Sequence, residues 1–219
     1  MNRFSTFVIR LCSPKSTLYV LILLAYFHWQ RVAAQATVSI GPRLGLNLAT
    51  LAGKDASNAS IKLGVNAGVF INSRFSEDLG LAVEFNFAQR GAENRINQQR
   101  TYKNNFNYLE LPVLGKYYFG SGTRTSPFIQ TGPNVTYLLT ASSKEVTEQS
   151  VIKDYKKLDF GWTAGAGIEM RLEKIRWTIE ARYTAGLLKL PNQANPPAVR
   201  NSVFTVGTAI GFVMPKAHR

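Results

Sequence analysis

Cysteine is all but missing from this chain of 219 residues: Cys12 stands alone, so no internal disulfide can form. Histidine is nearly as scarce, with His28 and His218 close to the two ends. Serine–histidine chemistry needs an imidazole beside the nucleophile, so no such triad is expected in the body of the chain, and no enzyme activity with it. Glu84 and Glu110 are the one carboxylate pair worth weighing; a bond from Glu110 to Lys116 or to an arginine is the plainer reading. No glycine-rich phosphate loop or clustered metal-ligand spacing appears. Gly165-Ala-Gly167 precedes no helical pattern, so no cofactor is expected. Acids are half as many as bases, 13 Asp and Glu against 26 Lys and Arg, for a net charge of +13. The bases are scattered and form no run, which argues against nucleic acid and for anionic lipid head groups as the counter-charge. Long apolar runs are also absent, none reaching the ~20 residues of a membrane-spanning helix.

The longest apolar stretch, Leu18 to Phe27, sits in a leader-like segment. Arg3, Arg10 and Lys15 precede it, and Ala34-Gln35-Ala36 follows as a small-residue cleavage signal. Residues 1–36 are therefore expected to be a cleavable signal peptide, cut after Ala34 or Ala36, and 37–219 a single barrel domain. Cys12 precedes the apolar stretch, the wrong side for a lipoprotein cysteine, and leaves with the leader. So do four bases (Arg3, Arg10, Lys15 and Arg31) and no acid, which takes the charge from +13 to +9.

From Val38 onward the chain alternates. In residues 175–186 the side chains of Ile175, Trp177, Ile179, Ala181, Tyr183 and Ala185 fall on one face of a strand, and Arg176, Thr178, Glu180, Arg182 and Thr184 on the other. The pattern recurs over Val38–Ala49, Lys62–Asn72, Leu79–Arg90, Phe106–Phe119, Ser126–Ala141, Leu158–Arg171, Ile175–Leu187 and Asn201–Met214. A soluble barrel of the lipid-carrier type would turn the apolar face inward. A barrel in lipid reverses that on every strand, greasy outside and charged inside. The expected fold is all-β: an eight-stranded antiparallel up-and-down transmembrane β-barrel.

Connections of alternating length agree with this reading. The gaps 50–61, 91–105, 142–157 and 188–200 are long, and 73–78, 120–125 and 172–174 are short. Outer-membrane barrels keep short turns in the periplasm and long loops outside, so both termini are expected in the periplasm. Aromatic residues of the outward face gather near the strand ends, as two interfacial girdles would.

Inward parity selects Arg43, Glu84, Glu110, Lys116, Glu169, Arg171, Arg176, Glu180 and Arg182 as a lumen charge cluster. An eight-stranded barrel is just wide enough for side chains to fill, so the cluster is expected to pair with itself and plug the lumen; lining a solute path is the alternative. The short 172–174 turn suggests a register with Arg171 facing Arg176, Gly167 facing Glu180 and Gly165 facing Arg182, the glycines leaving room for the long charged side chains. Glu169 would then lie diagonal to Arg176 and relieve the arginine pair. Phe70 and Leu114 are the largest apolar residues assigned to the inner face. On the long-loop side Lys103, Lys156, Lys157, Lys189 and Arg200 are candidate contacts for lipopolysaccharide phosphates.

Five stretches together resemble the PorT-like family of bacterial outer-membrane β-barrel proteins. They are Gly41-Pro-Arg-Leu-Gly-Leu-Asn-Leu, Tyr108-Leu-Glu-Leu-Pro-Val-Leu-Gly-Lys-Tyr-Tyr-Phe, Pro127-Phe-Ile-Gln-Thr-Gly-Pro-Asn, Asp159-Phe-Gly-Trp-Thr-Ala-Gly-Ala-Gly-Ile-Glu and Arg182-Tyr-Thr-Ala-Gly-Leu. The resemblance implies an eight-stranded barrel in the outer membrane and little about activity, although one member of that family serves protein secretion. The functional expectation is an integral outer-membrane protein with a filled lumen and a structural or interaction role, its lipid neighbours outer-membrane lipid and lipopolysaccharide, any envelope protein partner unknown. A narrow channel or solute-binding barrel and an accessory of secretion are the alternatives.

Overall fold

The computed structural model describes residues 36–53, 59–97, 100–120, 124–144, 148–150, 156–188 and 199–215. The leader proposed for 1–36 lies outside them apart from Ala36. Eight long strands carry the architecture: β1 (Thr37–Ala52), β2 (Lys62–Arg74), β3 (Leu79–Asn97), β4 (Arg100–Tyr118), β5 (Thr125–Lys144), β6 (Leu158–Leu172), β7 (Ile175–Gly186) and β8 (Arg200–Val213). Each pairs antiparallel with its neighbours in sequence. Pairing of β1 with β8, from Ser39↔Val213 to Ala52↔Arg200, closes the eight long strands into a barrel.

Period-two burial shows which face looks where. Along β7, Glu180 and Arg182 are 4% and 5% exposed, whereas Ile179 between its neighbours is 45% exposed. On β1, Arg43 is 2% exposed and Leu44 beside it 60%. The hydrocarbon surface thus lies on the outer wall and the charges along the axis, the arrangement that lipid demands of a barrel. Two outward indoles keep their N–H groups bonded within that wall: Trp162 Nε1 donates to Thr131 Oγ1 and Trp177 Nε1 to Thr208 Oγ1, each at 2.8 Å.

Two Gly-Pro steps shape the wall. The paired registers lapse where Gly41-Pro42 faces Ile210 and Gly211, and again where Gly132-Pro133 faces Val113 and Leu114. Proline brings no N–H to the ladder. At these steps the partner strand comes in so close that a Cβ on Gly41 would lie 1.8 Å from the Ile210 carbonyl oxygen, and one on Gly132 2.0 Å from that of Val113. Only glycine fits either place.

Two expectations about loops are corrected. The 91–105 segment is largely strand, since β3 runs on to Asn97 and β4 begins at Arg100, pairing Glu93↔Lys103 and Arg95↔Thr101. The 142–157 segment likewise contains the end of β5 and a three-residue strand, Glu148–Ser150, paired to it. Ala59–Ser60 adds two more residues against β3. Beyond the hydrocarbon both faces of a strand meet water, so the apolar alternation that marks a strand from sequence fades while backbone pairing continues. A β-bulge adds a further change. Pairing shifts between Asn107↔Thr140 and Tyr108↔Leu138, so Leu139 and Thr140 are both exposed and Ala141 turns inward.

Candidate functional site: the lumen and its two rims

The lumen is filled in layers. At its centre Arg43 on β1, Glu84 on β3 and Glu180 and Arg182 on β7 form a four-membered ionic ring. Arg43 Nη2 lies 2.9 Å from Glu180 Oε1 and Nη1 3.3 Å from Glu84 Oε2. Arg182 grips Glu84 through both terminal nitrogens, at 2.9 and 3.1 Å, and also pairs with Glu180. Neutral amides complete the ring. Asn86 donates to Glu84 at 2.9 Å, Gln130 donates to Glu180 at 2.8 Å, and Asn66 accepts from Arg43 at 2.7 Å. The expected register between β6 and β7 is the one observed: Gly165↔Arg182, Gly167↔Glu180 and Arg171↔Arg176. Gly207 flanks Glu180 on its other side. The carboxylate is thus bracketed by glycines that let it lie flat against the wall.

Toward the long-loop rim the filling becomes apolar. Phe106, Tyr108, Leu138 and Ala141 make a buried cluster, with Arg90 over the Tyr108 ring at 5.2 Å. Asn201 spans from the Tyr108 hydroxyl, 3.3 Å away, to Asp159 Oδ2 at 3.1 Å. Toward the short-turn rim Arg74 bonds Glu169 at 3.2 Å and stacks 4.0 Å over Tyr118, whose hydroxyl donates to Glu169 at 3.3 Å and accepts from Asn72 at 3.0 Å.

This geometry corrects several sequence assignments. Glu84 and Glu110 do not form a carboxylate pair: Asn86, two residues on from Glu84, is the residue opposite Glu110, and Glu84 is held by Arg43 and Arg182 while Glu110 is held by Arg90. The plainer reading of Glu110 holds in its arginine form: Glu110 is bonded by Arg90, and by Asn66 at 3.5 Å, and not by Lys116. Lys116 is buried with its ammonium 4.5 Å over the Phe128 ring. Glu169 is held by Arg74 and Tyr118, and Arg171 and Arg176 belong to the short-turn rim instead of the central ring: Arg171 Nη2 donates to Ser126 Oγ at 2.9 Å, and Arg176 Nη1 to the carbonyls of Glu173 and Ile175. The inner apolar set is larger than Phe70 and Leu114, since Phe106, Tyr108, Tyr118, Phe128 and Leu138 are each 1% exposed. Arg74, Arg90 and Asp159 were missed, although each shares the parity of buried neighbours; continuing Glu84, Asn86 and Ala88 by two residues reaches Arg90.

The rim lysines are placed less uniformly than expected. Lys156 and Lys157 are exposed just ahead of β6, and Arg200 is exposed at the start of β8. Lys103 stands on β4 opposite Glu93, not at a loop base, because the strand continues there; its side chain and all of Lys189 lie outside what is described.

Comparison with known proteins agrees with this architecture. A family model described as "Outer membrane protein beta-barrel domain" matches residues 33–191. OprG, an outer membrane protein of Pseudomonas aeruginosa, superposes with a TM-score of 0.52 at 13% identity, over 82% of this chain and 95% of its own. Neisserial surface protein A gives 0.49 at 13% identity (80% and 99% covered). Ail, the attachment invasion locus protein of Yersinia pestis, gives 0.43 at 16% identity (81% and 99% covered). At such identities the likeness concerns the fold alone. No curated protein matches the sequence.

Proposed function

Because the chain belongs to the outer membrane protein beta-barrel domain family and is an integral protein of the outer membrane, we propose that it serves there as a closed, plugged barrel with a structural or interaction role. In this reading it works through its rims, loops and lipid-facing wall and neither conducts solutes nor catalyses a reaction. The ionic ring of Arg43, Glu84, Glu180 and Arg182 carries the proposal. It joins β1, β3 and β7 across the axis, and the Phe106–Tyr108–Leu138–Ala141 cluster caps it on one side. A solute would have to break charge pairs in a medium of low dielectric to pass. The long loops are assigned to the cell exterior and both termini to the periplasm, by analogy with barrels whose short turns are periplasmic. Residues 1–36 act as the export leader, so sequencing the N-terminus of the membrane-extracted protein should find Gln35 or Thr37, and an intact Met1 would remove the leader.

The competing narrow-channel reading draws on one observation. Asn72 Oδ1, Asn86 Oδ1, Gln130 Oε1 and Asn134 Oδ1 are buried and have no hydrogen-bond partner, so the lumen offers acceptors to water. Single-protein recordings in planar bilayers separate the two: the plugged barrel gives no steady conductance in neutral salt, and discrete reproducible openings would end the proposal. Within the family, the five motif stretches favour the PorT-like branch, and with it an accessory role in secretion as the physiological alternative. A deletion strain that still secretes its usual cargo removes that alternative.

A further inference from the structure

We infer that the β6–β7 end of the short-turn rim is a binding site for the phosphodiester of an anionic membrane phospholipid. Three arginines stand in one cross-strand row there. Arg171 faces Arg176 on β7, and on its other side its backbone N–H donates to the carbonyl of Arg124 at 2.7 Å, one step beyond the pair Thr125↔Met170. Like charges set directly across a ladder repel. Among the described residues, no carboxylate bonds to any of the three. Arg171 has the Ser126 hydroxyl, Arg176 has two turn carbonyls, and Arg171 Nε is buried with no hydrogen-bond partner. Glu169, the nearest inward acid, is committed to Arg74 and Tyr118.

Beside this row lies an open hollow of about 530 Å³, lined by Arg124, Arg171, Glu173 and Lys174 together with Leu172 and Ile175. The lining is amphiphilic in a definite order. Outward pairs Ile168↔Ile179, Met170↔Trp177 and Leu172↔Ile175 climb the hydrocarbon wall and end at the cations. A phospholipid fits that order: its phosphate accepts from Arg124, Arg171 and Lys174, while its glycerol and first methylenes lie on Leu172 and Ile175. A free phosphate would use the cations and leave the apolar pair idle, which is why the lipid is the occupant assigned.

The test uses the purified full chain in detergent, titrated with phosphatidylglycerol, phosphatidylcholine or inorganic phosphate, with bound molecules counted by native mass spectrometry. Wild type is expected to retain phosphatidylglycerol saturably and at least fivefold more tightly than phosphatidylcholine. Arg124→Gln with Lys174→Gln, both exposed and outside the lumen, should weaken that binding at least tenfold, and Thr140→Ala, exposed toward the other rim, should leave it unchanged. Equal retention by all three proteins overturns the site. Saturable inorganic phosphate with no preference for phosphatidylglycerol overturns the lipid assignment. A second readout comes from Arg171→Gln, which removes repulsion within the row. It should raise the thermal midpoint in phosphatidylcholine bilayers and lose the added stability that phosphatidylglycerol gives wild type; a variant that gains as much as wild type from phosphatidylglycerol also overturns the proposal.

Discussion

Arg182→Met tests whether the ionic ring holds the barrel together. Arg182 makes two hydrogen bonds to Glu84, at 2.9 and 3.1 Å, and a third to Glu180, all from a side chain 5% exposed. Methionine fills similar length but leaves two buried carboxylates sharing Arg43. Breaking a buried pair from one side costs about 3–5 kcal/mol, most of it the penalty of the charge left behind. With a urea dependence of about 2 kcal/mol per molar, the unfolding midpoint in lipid vesicles should fall by about 2 M. Trp162 and Trp177 on the lipid-facing wall report the transition by fluorescence. Adding Glu84→Gln should then restore stability, because the second change removes the excess charge that the first exposed; a coupling of about 2 kcal/mol is expected for groups in such contact. An Arg182→Met loss below about 1 kcal/mol, or a double variant whose losses simply add, would refute the reasoning and imply that water screens the ring.

Two further outcomes follow from the wall and the long-loop rim. Gly132→Ala places a Cβ 2.0 Å from the Val113 carbonyl oxygen and should cost about 1–3 kcal/mol, while Gly115→Ala, whose nearest contact is Thr131 O at 3.7 Å, should stay within about 0.5 kcal/mol by the same urea assay. Comparable losses at both positions would show that strand approach is not what selects glycine. Lys156→Glu with Lys157→Glu reverses two exposed charges and should lower lipopolysaccharide affinity of the purified protein at least about thirtyfold, taking about 1 kcal/mol per basic residue near a charged lipid surface; unchanged retention removes these lysines as contacts.

The barrel was legible in the sequence wherever the two faces of a strand meet different solvents. Glu180 between Ile179 and Ala181, or Arg43 beside Leu44, announces its side because lipid and lumen select opposite chemistry. The pairing from Glu93↔Lys103 to Asn97↔Arg100 was invisible for the reverse reason: residues 91–97 and 100–105 show no apolar alternation, and backbone pairing by itself leaves no trace in the sequence. Inner aromatics such as Phe128 and Tyr118 were obscured because a rule of polar lumens excludes them, whereas here they carry Lys116 and Arg74 on their faces. Pairing across the lumen could not be read from a strand taken singly. The partners of Glu110 and Glu169, Arg90 and Arg74, depend on tilt and stagger, which one strand's pattern does not encode.

Those cross-lumen contacts also bear on how the barrel finds one closure. Arg43 and Glu180 are 137 residues apart and Arg182 and Glu84 are 98 apart, so neither pair gains from local structure. Both depend on β8 meeting β1 in the observed register. A slip of one residue between two strands would turn the whole inward set of one of them toward lipid, where a buried arginine near the bilayer midplane costs about 2–4 kcal/mol. Backbone pairing alone distinguishes poorly between neighbouring registers, since each satisfies nearly the same number of ladder bonds. The Gly-Pro steps at Gly41 and Gly132 add a second constraint, because only glycine tolerates the partner carbonyl at those points and a slipped strand would bring a Cβ there. Charge at the centre and glycine in the wall therefore select the same closure by independent physics, which is the sense in which this ring stabilises a structure instead of serving a reaction.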